Sequence, residues 1–156
     1  MAQPVFPASI AYWIDQGTGN EEYTPSQTGG ETFGYGDFVK LVANVVKLCT
    51  ADPPSILGIS EVVSQNARLI TPNGKVPIRV LSNNAVLLMS SLTVPVEATH
   101  LNVQYGITRD ANGNWQVDTS KTGGSARVEV VRLDIAQGYW YVKVIPAYLP
   151  NTNIVS

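Results

Sequence analysis

The stretch HLNVQYGITRDANGNWQVD (His100–Asp118) decides the fold class. Apolar and polar residues alternate on either side of Asp110-Ala111-Asn112-Gly113, a loop whose small and amide residues tolerate left-handed backbone. The pattern predicts a hairpin, His100–Thr108 against Asn114–Asp118. Downstream, Thr122-Gly123-Gly124-Ser125 breaks the chain. Arg127–Ile135 and Tyr139–Ile145 then read as two further strands joined by Ala136-Gln137-Gly138. Upstream, Ser82-Asn83-Asn84 turns the chain into Val86–Met89, and Pro72-Asn73-Gly74 joins Arg68–Thr71 to Val76–Leu81. The first runs, Phe38–Leu48 and Ile56–Val63, are separated by Asp52-Pro53-Pro54, which cannot continue a ladder. No stretch carries sustained apolar spacing at three and four with caps at both ends. The expectation is an all-β domain over residues 37–150, a small barrel or sandwich.

Two local patterns sharpen that expectation. The apolar phase runs Val128, Val130, then Val131, Leu133, Ile135. A slip of one residue moves side chains to the opposite face, so it predicts a bulge or a strand buried on both faces. In Tyr139-Trp140-Tyr141, alternation sends both tyrosines to one face and Trp140 to the other. Trp115, Tyr139, Trp140 and Tyr141 are therefore candidates for either core or interface.

Residues 1–36 differ in character. Pro4, Pro7, Pro25 and six glycines favour neither helix nor central strand, so the segment reads as an extended N-terminal arm. Yet Phe6, Ile10, Tyr12, Trp13 and Ile14 are too apolar to float in water. They must lie back on their own domain or on a neighbouring molecule. Asn151–Ser156 is a short C-terminal tail after Pro150.

Composition sets the outer bounds. The 156 residues suit one domain, and only 14% are charged while 44% are hydrophobic. A net charge of −2 supplies no field for a phosphate backbone, so nucleic acid is not an expected partner. Met1–Val5 has neither a basic n-region nor an apolar h-region, and Ala85–Met89 is far short of a bilayer span. Neither a secretion signal nor a membrane helix is expected.

Catalytic chemistry finds little footing. Cys49 and His100 are the single cysteine and histidine, which excludes a disulfide framework and a Cys/His zinc site. Cys49 reads as a buried, inert thiol. His100 reads as a polar residue on the solvent face of a strand, with no Gly-x-Ser-x-Gly elbow elsewhere. Asp110-Ala111-Asn112-Gly113-Asn114 resembles a calcium loop at first sight, but Trp115 and Lys121 stand where the ligand pattern needs glycine and glutamate. Gly34-Tyr35-Gly36 lacks the third glycine of a dinucleotide fingerprint, because Val39 occupies that place. No catalytic residue, metal or cofactor is expected.

Three segments carry a family resemblance: Gly36-Asp37-Phe38-Val39, Ile56-Leu57-Gly58-Ile59-Ser60, and Gly74-Lys75-Val76-Pro77-Ile78-Arg79-Val80. With the arm that precedes them, they resemble the head decoration, or cement, proteins of tailed bacteriophages. The resemblance implies a β-tulip-like domain made in the host cytoplasm and carried on the virion exterior. It further implies a homotrimer that binds the major capsid protein and clamps adjacent subunits of the expanded head. The arm residues Phe6, Ile10, Tyr12, Trp13 and Ile14 would then lie across a neighbour, and removal of residues 1–30 would leave a folded β-domain. Two alternatives stand beside it: a tail, neck or fibre module binding sugar through Trp115 and Trp140, and a hydrolase with His100 as base.

Overall fold

Asp110 folds its own turn. Its Oδ1 accepts from the backbone N–H groups of Asn112 at 2.9 Å and Asn114 at 2.8 Å, so the loop that resembled a calcium site is spent on the hairpin. A computed structural model describes residues 3–13, 20–23, 34–42, 45–60, 76–82 and 85–149, with backbone alone for Trp13, 20–23, Val45, Val76 and Pro77. The Arg68–Thr71 run, the Pro72-Asn73-Gly74 turn and the 151–156 tail lie outside the described residues.

The chain is all-β and contains a closed barrel. Its strands are β1 (Ser9–Trp13), β2 (Asn20–Tyr23), β3 (Phe38–Val42), β4 (Val45–Leu48), β5 (Gly58–Ser60), β6 (Val76–Val80), β7 (Ala85–Ser91), β8 (Gln104–Arg109), β9 (Trp115–Asp118), β10 (Val128–Asp134) and β11 (Tyr139–Val144). The barrel runs β7-β11-β10-β8-β9 and returns to β7, where Ser90 and Ser91 pair in parallel with Gln116 and Val117. That parallel contact is short. The remaining length of the same β7 edge, Ala85–Leu88, is taken by β1 running antiparallel. A second sheet has the order β2-β6-β5-β3-β4.

Most strands fall where alternation placed them. The predicted Phe38–Leu48 run is a hairpin of β3 and β4 rather than one strand. Between Val130 and Arg132 the β10–β11 register shifts, so the phase slip marks a bulge at Val131. The predicted start of the first hairpin needs correction. Glu97–His100 is a single helical turn, and β8 begins only at Gln104. Asn102, at φ +65°, turns the chain between them.

One core joins the two sheets. Phe38, Cys49, Ile56, Ile59 and Leu81 bury against the barrel interior of Leu87, Met89, Ile107, Trp115, Val130, Trp140 and Val142. A smaller cluster, Val39, Val46, Leu57 and Ile78, fills the other face of the second sheet. Two glycines are fixed by close approach. A Cβ on Gly58 would collide with the carbonyl oxygen of Arg79. Gly36, at φ +83°, leaves no room for one beside Ala8 O, 2.9 Å away.

Candidate functional site

The charged groups of the interior act as ties. Asp37 is buried at the start of β3, and its Oδ1 accepts from Arg109 Nε at 2.6 Å and Trp115 Nε1 at 2.9 Å. Its Oδ2 accepts from Gly34 N at 2.8 Å and Arg109 Nη2 at 3.1 Å. Both oxygens are thus used, and the carboxylate staples the second sheet to the β8–β9 hairpin. The hydrogen bond that Arg109 donates to Asp37 raises the Arg109 pKa against the opposing cost of burial.

Arg127 works without a carboxylate. Its guanidinium donates to the carbonyls of Pro53 (2.7 Å), Asp52 (3.1 Å), Gly124 (2.9 Å) and Ala126 (2.8 Å) and lies 4.0 Å from the Tyr148 ring centroid. Lys121 Nζ reaches Asp52 Oδ1 at 3.0 Å and the Ile107 carbonyl at 3.2 Å. Of the ten basic residues, Lys121 and Arg127 therefore hold the 52–53 loop to the barrel and Arg109 ties down Asp37, rather than face a ligand.

The aromatic candidates separate by face. Trp115 and Trp140 are 1% and 0% exposed, which corrects their assignment as interface or sugar-stacking residues: both fill the core. Tyr139 and Tyr141 lie on the outer side of β11, as alternation requires. Phe6 meets Tyr139 edge-on with centroids 5.3 Å apart. Tyr12 is 6.4 Å from Tyr141, whose ring also carries the Arg132 guanidinium 4.7 Å from its centroid. The stretch from Gln3 to Tyr12 is extended and lies back on its own barrel, with Ala8 fully buried and Ile10 packed on the core. Tyr12 remains 41% exposed. Ile14 and the side chain of Trp13 lie outside the described residues.

Sequence patterning missed the loop between β7 and the helical turn. Leu92, Val94 and Val96 are 56%, 56% and 49% exposed, an apolar row at every second residue on the barrel's surface. The signal was present in Leu92-Thr93-Val94-Pro95-Val96, whose alternation imitates a strand that Pro95 interrupts. The loop is anchored at both ends. Ser91 Oγ donates to Val117 O at 3.1 Å, and the Thr93 and Thr119 hydroxyls lie 2.8 Å apart. At the far end, the Val96 N–H donates to His100 Nδ1 at 2.9 Å.

That bond overturns the solvent-face reading of His100. The imidazole is buried, 4.9 Å from the Trp140 ring and 5.9 Å from Tyr105 between centroids. Burial lowers its pKa and raises that of Tyr105. Cys49 is buried as expected, its Sγ 3.7 Å from Ser55 O.

Among the described residues no group of three His, Cys, Asp or Glu side chains could hold a metal, and no helix is long and apolar enough to cross a membrane. A hollow beside Leu41, Ser55, Ile56 and Leu57 holds about 80 Å³, and a polar one between Pro7, Asp37 and Asn114 about 30 Å³. Both are far below the 300–1,000 Å³ or so of a small-molecule site. The second offers Asp37 with both oxygens already bonded. What the described surface presents is an apolar loop and an aromatic face. No protein-family model and no curated protein matches the sequence.

Proposed function

We propose that this chain is a structural subunit of a tailed-bacteriophage head, bound to the outside of the expanded capsid, where it clamps adjacent major capsid subunits and performs no covalent chemistry. The observation that carries this reading is the exposed row of Leu92, Val94 and Val96, held on a barrel whose interior charges are committed to internal ties. An apolar row of this kind is suited to contact with a protein surface. Full burial of a Leu or Val side chain contributes about 1.5–3 kcal/mol, so three half-exposed ones give a weak contact by themselves. Symmetric repetition in a homotrimer on a shell would multiply it through avidity.

The resemblance segments support the same reading through their positions. Gly36-Asp37 supplies the staple between the sheets, and Gly58 lets β5 approach Arg79. These residues are constrained by the architecture, so a likeness in them is a likeness of fold, and the partner is carried by the surface. The reading is tested by co-sedimentation with expanded heads, with solution mass measured by light scattering. The intact protein is expected to pellet with heads, and Leu92→Asp with Val94→Asp to weaken binding at least tenfold without altering the far-ultraviolet spectrum. A strict monomer that stays in the supernatant would overturn it.

A further inference from the structure

We propose that His100 is an acid-released latch: its neutral Nδ1 holds the Val96 N–H and with it the far, C-terminal end of the apolar Leu92–Val96 loop, and protonation lets that end go. The proposal rests on the geometry of the helical turn and stands apart from the identity of any partner.

Val96 precedes the first residue of the turn, and the His100 N–H returns to the Val96 carbonyl at 2.9 Å. The side chain of His100 then reaches back to the Val96 N–H, so both backbone groups of one residue are tied to one histidine. The bond does what the returning arm of a capping box does, but from an imidazole one residue further along the turn than the usual carboxylate or amide. An acceptor at Nδ1 places the remaining proton on Nε2. A second proton turns both ring nitrogens into donors, and the Val96 N–H then faces another N–H.

Among the described residues no carboxylate is paired with the ring to compensate the charged form. Tyr105 faces the ring from β8 and Trp140 from β11; Glu97, on the same turn, is exposed. The ion pairs among the described residues, Arg109–Asp37 and Lys121–Asp52, do not include His100. The ring faces of Trp140 and Tyr105 would attract an imidazolium, but they cannot restore the lost acceptor. The sign of the effect follows. Burial depresses the folded pKa, so the stability carried by neutral His100 is complete above the unfolded value of about 6.5 and is lost as pH falls through the lower folded value.

The other end of the loop does not titrate with His100. Ser91 and Thr93 hold it through hydroxyl contacts to Val117 and Thr119. Release is therefore local, freeing Val96 and the helical turn while β7 stays in the barrel.

Amide hydrogen exchange on the full chain, corrected for the intrinsic pH dependence, tests this. Val96 protection should fall by up to about tenfold per pH unit between the opened-state imidazole value of about 6.5 and the lower folded value, the range in which opening takes up one proton, and level off below it. The amides of Leu87 and Val142 should keep theirs. His100→Asn, which offers a non-titrating oxygen near the position of Nδ1, should abolish the pH dependence. Protection at Val96 that stays flat while the wild-type imidazole titrates would overturn the proposal, as would simultaneous loss at Leu87 and Val142. So would a pH dependence that persists in the asparagine variant. Should that variant fail to fold, imidazole nitrogen shifts and Val96 exchange in the wild type still decide between a latch and a bystander.

Discussion

At the scale of single residues, the most consequential carboxylate is Asp37. It accepts four hydrogen bonds, two of them from one guanidinium, and is itself buried. Asp37→Asn keeps the shape but sets an amide NH₂ against donors from Arg109 and either Gly34 or Trp115. Loss of one partner from such a pair costs about 3 kcal/mol, toward the lower end of the buried range because the Arg109 side chain is 26% exposed. Urea unfolding should show the midpoint falling with the slope unchanged. Combining Arg109→Met with Asp37→Asn should recover part of the loss, with a coupling above about 1 kcal/mol. Little of this was legible beforehand. Gly36-Asp37 reads as a turn, and nothing in local patterning connects it to a residue more than seventy positions away. His100 misled for a related reason: alternation records which side chains can share a face, whereas a bond that a ring nitrogen accepts from the start of its own turn leaves no periodic trace.

At the scale of elements, alternation was the reliable guide. It located the β8–β9 and β10–β11 hairpins, separated Trp140 from its flanking tyrosines, and marked the Val131 bulge through a slip of one residue. It failed where tertiary contacts set the boundary, as at Val96–Asn102, where a helical turn and a left-handed asparagine replace the first residues of the expected strand. It was also silent on close approach. Gly58 looks interchangeable in Ile56-Leu57-Gly58-Ile59-Ser60, yet its Cα faces the Arg79 carbonyl across the β5–β6 pair. Gly58→Ala is expected to destabilise the chain by about 3 kcal/mol, the upper end for overpacking, because the obstructing atom is backbone and cannot rotate away. Thermal unfolding monitored by circular dichroism checks this, with Gly124→Ala as a control, since nothing lies within 4 Å of a Cβ there.

At the scale of the whole molecule, the arm changes meaning. Its prolines and glycines imply an extended path, and its aromatics imply burial, but neither says against what. In the structure β1 completes the β7 edge that β9 covers only at Ser90 and Ser91. Ala8 lies in the core, so removal of residues 1–30 would not leave the intact β-domain expected from sequence alone. Removing residues 1–13 should expose the Ala85–Leu88 edge, lower the unfolding midpoint and promote self-association. Exchange rates of the Ala85–Leu88 amides, together with light scattering, would report both effects. A truncated chain as stable and as dispersed as the full one would show that β1 contributes nothing to closure.

The pairing of Ser9 with Leu88 also fixes an order of events at birth. β1 lacks its partner strand until β7 follows it in synthesis, and the barrel cannot shut until β11 has emerged beside β7. Contacts so distant along the chain favour slow folding, with an apolar ribbon waiting in the open. The nascent barrel is thus most vulnerable before β11 arrives, and the seam that stabilises the finished barrel is a part it must guard while being made.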